Sequence, residues 1–98
     1  MTYSRGATGA CGELYVCQYF LTKGYQVFRN VAPTGSVDII IYKDGVSKLI
    51  DVKTTTTAYT RKDGSIFINV PCEKRGDIWL LAFNAETNEL HFPEGFWE

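Results

Sequence analysis

Two runs of the chain, residues 37–42 (VDIIIY) and 48–54 (KLIDVKT), are rich in apolar and β-branched side chains and flank a Lys43-Asp44-Gly45 turn. That pattern predicts a β-hairpin. Upstream, Leu14, Cys17, Phe20 and Leu21 recur with helical spacing, which predicts a helix over 10–23 with Glu13 on the same inward stripe. Gly24 is its C-terminal stop and Thr8 is placed to cap its start. The glycines at 6, 9 and 12 predict a mobile loop over residues 1–12. A strand is expected at 25–29, broken by Asn30 to Gly35 with its proline at 33. Residues 54–57 extend the second hairpin strand, an Asp63-Gly64 turn leads into a strand at 65–70, and 71–75 leaves room for a turn or a helical stub. The run 77–83 (DIWLLAF) is apolar almost throughout, as a central strand buried on both faces would be. A last strand is expected at 89–92, ended by Pro93, with Phe96 and Trp97 covering a core edge. The expected architecture is α/β: one mixed sheet of five or six strands, an N-terminal helix and a reduced second helix.

Composition narrows this picture. Ninety-eight residues with no repeat or linker make one domain, 1–98, and fourteen aromatic residues indicate a real core. Trp79, Phe96 and Trp97 are costly to leave wet, and one helix cannot cover both faces of such a sheet, so a homodimer or higher symmetric oligomer is expected. There is no apolar run of membrane-spanning length and no basic-then-apolar leader. The expected location is therefore cytoplasmic, inside a bacterium, an archaeon or a virus-infected host. Cys11, Cys17 and Cys72 are odd in number and form no C-x-x-C pair, which argues against a zinc site or a disulfide framework. His91 is the one histidine and reads as a plain strand residue. The formal charge of -1 conceals an asymmetry: all Lys and Arg precede residue 76, and residues 1–85 hold ten basic against seven acidic side chains. That is a modest electrostatic footprint for a polyanion.

Within the hairpin, strand alternation puts Asp51 and Lys53 on one face and Ile50 and Val52 on the other. A charged face on an exposed sheet would explain Asp-x-Lys alone. Asp38 is harder to explain. It interrupts a run apolar enough to be buried, where a charge costs several kcal/mol, ~2 or more, unless it is paired or bound to a metal. Pairing of the two strands would bring Asp38 to Asp51, with Glu13 a third acid directed at the sheet.

Helix-borne Glu13, then Asp38, then Asp51-Val52-Lys53 within GSVDIIIYKDGVSKLIDVKT resembles the PD-(D/E)XK nuclease superfamily, in particular its small Holliday-junction-resolvase-like and homing-endonuclease-like members. Val37 stands before Asp38 where the family motif has proline, and the second helix is trimmed. The resemblance implies a restriction-endonuclease-like core and a metal-dependent DNA endonuclease acting on branched DNA or a specific duplex site. It implies Glu13, Asp38, Asp51 and the Val52 main-chain carbonyl as ligands for Mg²⁺, with Mn²⁺ able to substitute, and Lys53 as the catalytic ammonium. The expected DNA-facing residues are Arg5, Arg29, Ser36, Thr54, Thr55, Arg61 and Lys62. The alternative is a nuclease-like module that binds DNA or protein without cutting.

Overall fold

The computed structural model describes residues 5–32 and 34–98, without the side chains at 5, 6 and 58, so the break expected at Pro33 lies outside the described residues. Helix α1 (Arg5–Thr22) is followed by β1 (Gln26–Arg29), β2 (Ile39–Lys43), β3 (Val46–Thr55), β4 (Ala58–Thr60), β5 (Ile66–Ile68), β6 (Lys74–Arg75), β7 (Ile78–Asn84) and β8 (Glu89–His91). Six strands form the main sheet, in the order β1-β2-β3-β7-β6, with β8 also on β7. Its one parallel pair, β3 with β7, lies at the centre and matches Ile50 to Trp79, Asp51 to Leu80 and Lys53 to Ala82. The outer edge of β7 is shared: β6 pairs with its start and β8 with its end. β4 and β5 form a separate two-stranded ribbon.

The β2–β3 hairpin closes as expected. Asp44 (φ 53°) and Gly45 (φ 82°) both adopt left-handed backbone, which is what a two-residue turn matched to strand twist requires. Helix α1 ends in a Schellman motif: Tyr25 N–H donates to Phe20 O at 3.0 Å and Gly24 N–H to Leu21 O at 3.1 Å, with Gly24 at φ +87°.

Three expectations need correction. The glycine-rich start is helical from Arg5, so neither a loop to residue 12 nor a cap at Thr8 is observed. Leu14 and Leu21 are exposed, because the buried stripe is Val16, Cys17 and Phe20. The helical stub at 71–75 is replaced by the two-residue strand β6, and α1 is the one helix among the described residues.

Gly12 explains how a helix with three glycines docks. A Cβ there would collide with Thr54 Oγ1 and press on Phe83 Cδ2 at 3.3 Å, so α1 can cross the sheet this closely only where there is no side chain. Beneath the helix, Val16, Phe20, Ile39, Ile41, Ile50 and Leu81 make a dry core. The C-terminal segment completes the same side: Phe96 is 1% exposed and packs 6.0 Å from Phe20 and 5.3 Å from Trp79 between ring centroids. Lys48 Nζ donates to Phe96 O and lies 4.3 Å from the Phe96 ring centroid, which fixes the tail to β3.

Candidate active site

The site forms where β2 begins. Asp38, one residue before the strand, donates its N–H to Ile50 O at 2.9 Å, and its own carbonyl accepts from Asn30 N–H at 2.8 Å. Its side chain then replaces the next rung of the ladder: Oδ2 accepts the Val52 N–H at 2.7 Å. The N–H and C=O of a strand residue point to the same neighbour, so the Val52 carbonyl faces the side from which Asp38 approaches.

On β3, Asp51 and Lys53 share a face as the alternation predicts, and Lys53 Nζ lies 3.2 Å from Asp51 Oδ2. The Asp51 side chain is 17% exposed and that of Lys53 40%. The Asp51 carboxyl lies close enough to act on that of Asp38. The Asp38 carboxyl is pushed up to about 6, first by burial and then by contact with Asp51 and its charge, against the opposing pull of the Val52 N–H. Glu13 adds the weakest of these effects, acting as a more distant charge from the half-buried side of α1.

Asp38, Asp51, Lys53 and the Val52 main chain are thus brought together. Glu13 faces them without joining the cluster, and among the described residues no three His, Cys, Asp or Glu side chains are grouped closely enough to hold an ion. The donor set nevertheless suits a hard divalent cation. Two neighbouring carboxylates and a carbonyl supply only oxygen, and a cation between them would offset the burial and the like charge that hold the Asp38 carboxyl above its ordinary range.

The expected DNA-facing residues separate into two groups. Arg29, Ser36, Arg61 and Lys62 are exposed, the last two at the tip of the β4–β5 ribbon, where the Arg61 guanidinium lies 5.3 Å from the Phe67 ring centroid. The side chain of Arg5 lies outside the described residues. Thr54 and Thr55 turn inward, which corrects their expected role. Thr54 Oγ1 is buried against Gly12, and Thr55, 5% exposed, accepts the Thr57 N–H at 2.9 Å and donates to Asn69 Oδ1. The sequence reading missed a pocket of about 240 Å³ beside Asp38, lined in part by Phe28, Val37 and Ile40. Its signal lay in Phe28, an aromatic residue on a strand whose pairing partner, Ile40, falls on the same face as Asp38.

This sheet and helix define a nuclease-like fold. The structure of a bacterial homing endonuclease, I-Ssp6803I, is similar with a TM-score of 0.62 at 15% sequence identity, covering 90% of this chain and 67% of that one. No family model matches the chain. Protein 5.3 of Escherichia phage T7 is 36% identical over 93 residues, which span 90% of this chain and 79% of that protein, and the chain belongs to the family of this phage protein. A UPF0102 protein of Synechococcus sp. (strain JA-3-3Ab) is 30% identical over 85 residues, covering 85% of this chain and 64% of its relative.

Proposed function

We propose that the protein is a metal-dependent DNA endonuclease that hydrolyses phosphodiester bonds. The observation that carries this reading is the convergence on one stretch of β3 of the half-buried Asp38, whose carboxylate accepts the Val52 N–H, with the Asp51–Lys53 ion pair. A charge pair serving solubility has no need of a second acid forced into a half-buried position, where it destabilises the fold. The homing endonuclease with the same fold supports the reaction class.

Asp38, Asp51 and the Val52 carbonyl would hold Mg²⁺ or Mn²⁺, with Glu13 binding directly or through water. When bound, the ion supplies a hydroxide-like nucleophile and offsets charge on the scissile phosphate. The chain's own contribution is positioning and electrostatics. The Val52 N–H fixes the Asp38 carboxylate, Asp51 holds the Lys53 ammonium, and Lys53 orients the attacking water or offsets the extra negative charge of the transition state. Arg61 and Lys62 at the ribbon tip grip the phosphate backbone. Cutting both strands of a duplex requires two such sites related by a two-fold axis, so the protein acts as a homodimer or higher symmetric oligomer. A monomer in sedimentation at tens of micromolar would contradict that.

The test is incubation with branched, nicked, single-stranded and linear DNA in Mg²⁺ or Mn²⁺, beside Asp51→Ala. Metal-dependent cleavage that Asp51→Ala abolishes is expected. If no DNA is cut and Asp51→Ala binds DNA as the parent does, the protein is a binding module with a nuclease-like fold.

A further inference from the structure

The pocket beside Asp38 lies where the end of β1 meets the start of β2, with Arg29 and Ile39 in its lining as well as Phe28, Val37 and Ile40. Phe28, 53% exposed, stands next to Ile40, 36% exposed, and the two are register partners on β1 and β2. Val37 and Asp38 line the same concavity, so the Asp38 carboxyl borders an apolar slot. The rim is already set. Asn30 Nδ2 donates to Val37 O at 2.9 Å and Asn30 Oδ1 accepts the Ala32 N–H at 2.9 Å, which ties the connecting loop down and occupies both ends of that amide. A volume of about 240 Å³ lies below the ~300–1,000 Å³ usual for drug-sized ligands and suits one flat group.

We infer that this slot receives the face of an unpaired nucleobase adjoining the phosphate that a metal ion at Asp38 would hold, so that the substrate class is DNA with an unstacked nucleotide at the cleavage point, such as a fork, flap or junction arm. The inference rests on the nuclease reading above for its ligand. An intact duplex shows its grooves polar base edges, which are read by hydrogen-bonding side chains. A slot walled by Phe28, Ile40 and Val37, with the Asn30 amide already engaged, offers a stacking surface, and Arg29 is the one cationic donor among the described residues of its lining. Continuity with the carboxylate selects the occupant, because the group nearest a phosphate on the strand is its own or the adjoining nucleoside.

The test is fluorescence anisotropy in Ca²⁺, a hard divalent cation that supports binding with no cleavage followed, with three labelled oligonucleotides, a single strand, a forked duplex and a blunt duplex of equal length. It uses the parent protein, Phe28→Ala and Phe28→Trp, each checked by thermal melting. The parent should bind the forked and single-stranded probes about tenfold more tightly than the blunt duplex, as expected when one base stacks on an aromatic ring. Phe28→Ala should abolish the preference without changing duplex affinity, and Phe28→Trp should retain it. Equal binding of all three probes by the parent, or an undiminished preference in Phe28→Ala, would overturn the inference. So would loss of self-association in Phe28→Ala with unchanged DNA binding, which would place a second copy in the slot. Because no cleavage is needed, failure to cut DNA in metal counts against the nuclease reading alone. Conversely, cutting of the blunt duplex as fast as the fork, with Phe28→Ala fully active, would remove the slot and leave the nuclease reading intact.

Discussion

The two faces of the main sheet are built from the same strands and differ in almost everything else. Ile39, Ile41 and Ile50 point to α1 and are at most 1% exposed, while the intervening Ile40 and Tyr42 are 36% and 41% exposed on the other side. One face is closed by a helix and an aromatic tail. The other carries Asp51, Lys53 and an open slot, and is covered at β7, where Leu80 and Ala82 are 3% and 0% exposed. The difference shows how one period of alternation divides the labour: the covered face supplies the folding free energy, and the bare face can hold charges too costly for a core.

The largest expected contrast is in stability. Phe20→Ala, in the covered core, should cost about 3–5 kcal/mol, whereas Phe28→Ala on the bare face should cost about 1 kcal/mol or less. Urea denaturation of both variants measures the difference. Equal losses would mean that the bare face is covered in solution.

A smaller effect comes from the glycines of α1. At Gly9 an added Cβ meets nothing within 4 Å, so Gly9→Ala should raise stability by about 0.5–1 kcal/mol through helix propensity. Gly12→Ala gains the same propensity but drives its methyl into Thr54 and Phe83, at a cost of about 1–3 kcal/mol. Melting temperatures should therefore move in opposite directions. A rise in both would show that the helix does not approach the sheet at Gly12.

The smallest effect belongs to Asp38 and depends on pH. Its carboxyl is raised from 3.8 to about 6 in the folded, metal-free chain, so the fold binds a proton there that the unfolded chain has already lost. The resulting stabilisation is fully present below about pH 4 and disappears as pH rises through 6. Asp38→Asn keeps an acceptor for the Val52 N–H and removes the charge. In EDTA it should match the parent near pH 4 and exceed it at pH 7 by about 1 kcal/mol, a figure discounted for the partial exposure of the site. A pH-independent difference between the two would contradict the burial of the Asp38 carboxyl.

Much of the fold was legible because it rests on local patterns. The Asp44-Gly45 turn, the stop at Gly24, the apolar β7 and the alternation of Asp51 and Lys53 each follow from a few adjacent residues. What was not legible depended on distant partners. The glycines of α1 suggest a loop until Thr54 and Phe83 are found beneath Gly12, and Leu14 and Leu21 look buried until Val16 is seen to set the inward face. Thr54 and Thr55 invite a DNA-facing role, but their environment is set by α1 and by Asn69. The acid pair was foreseeable from the hairpin, whereas the distance of Glu13 from it depends on how the helix is tilted and is not encoded in its own stretch of sequence.

We propose that Asp38, Asp51 and Lys53 form one metal-dependent hydrolytic site. Its most direct test is Mn²⁺ calorimetry beside a DNA-cleavage time course for the parent, Asp51→Ala and Lys53→Ala. Asp51→Ala should lose both metal binding and cleavage, since it removes a charged ligand. Lys53→Ala removes a positive charge close to the metal position, so Mn²⁺ affinity should hold or rise while the cleavage rate falls by about 10²-fold or more. If Lys53→Ala cleaves as fast as the parent, the Asp51–Lys53 contact is only a surface ion pair and the account fails at its central residue.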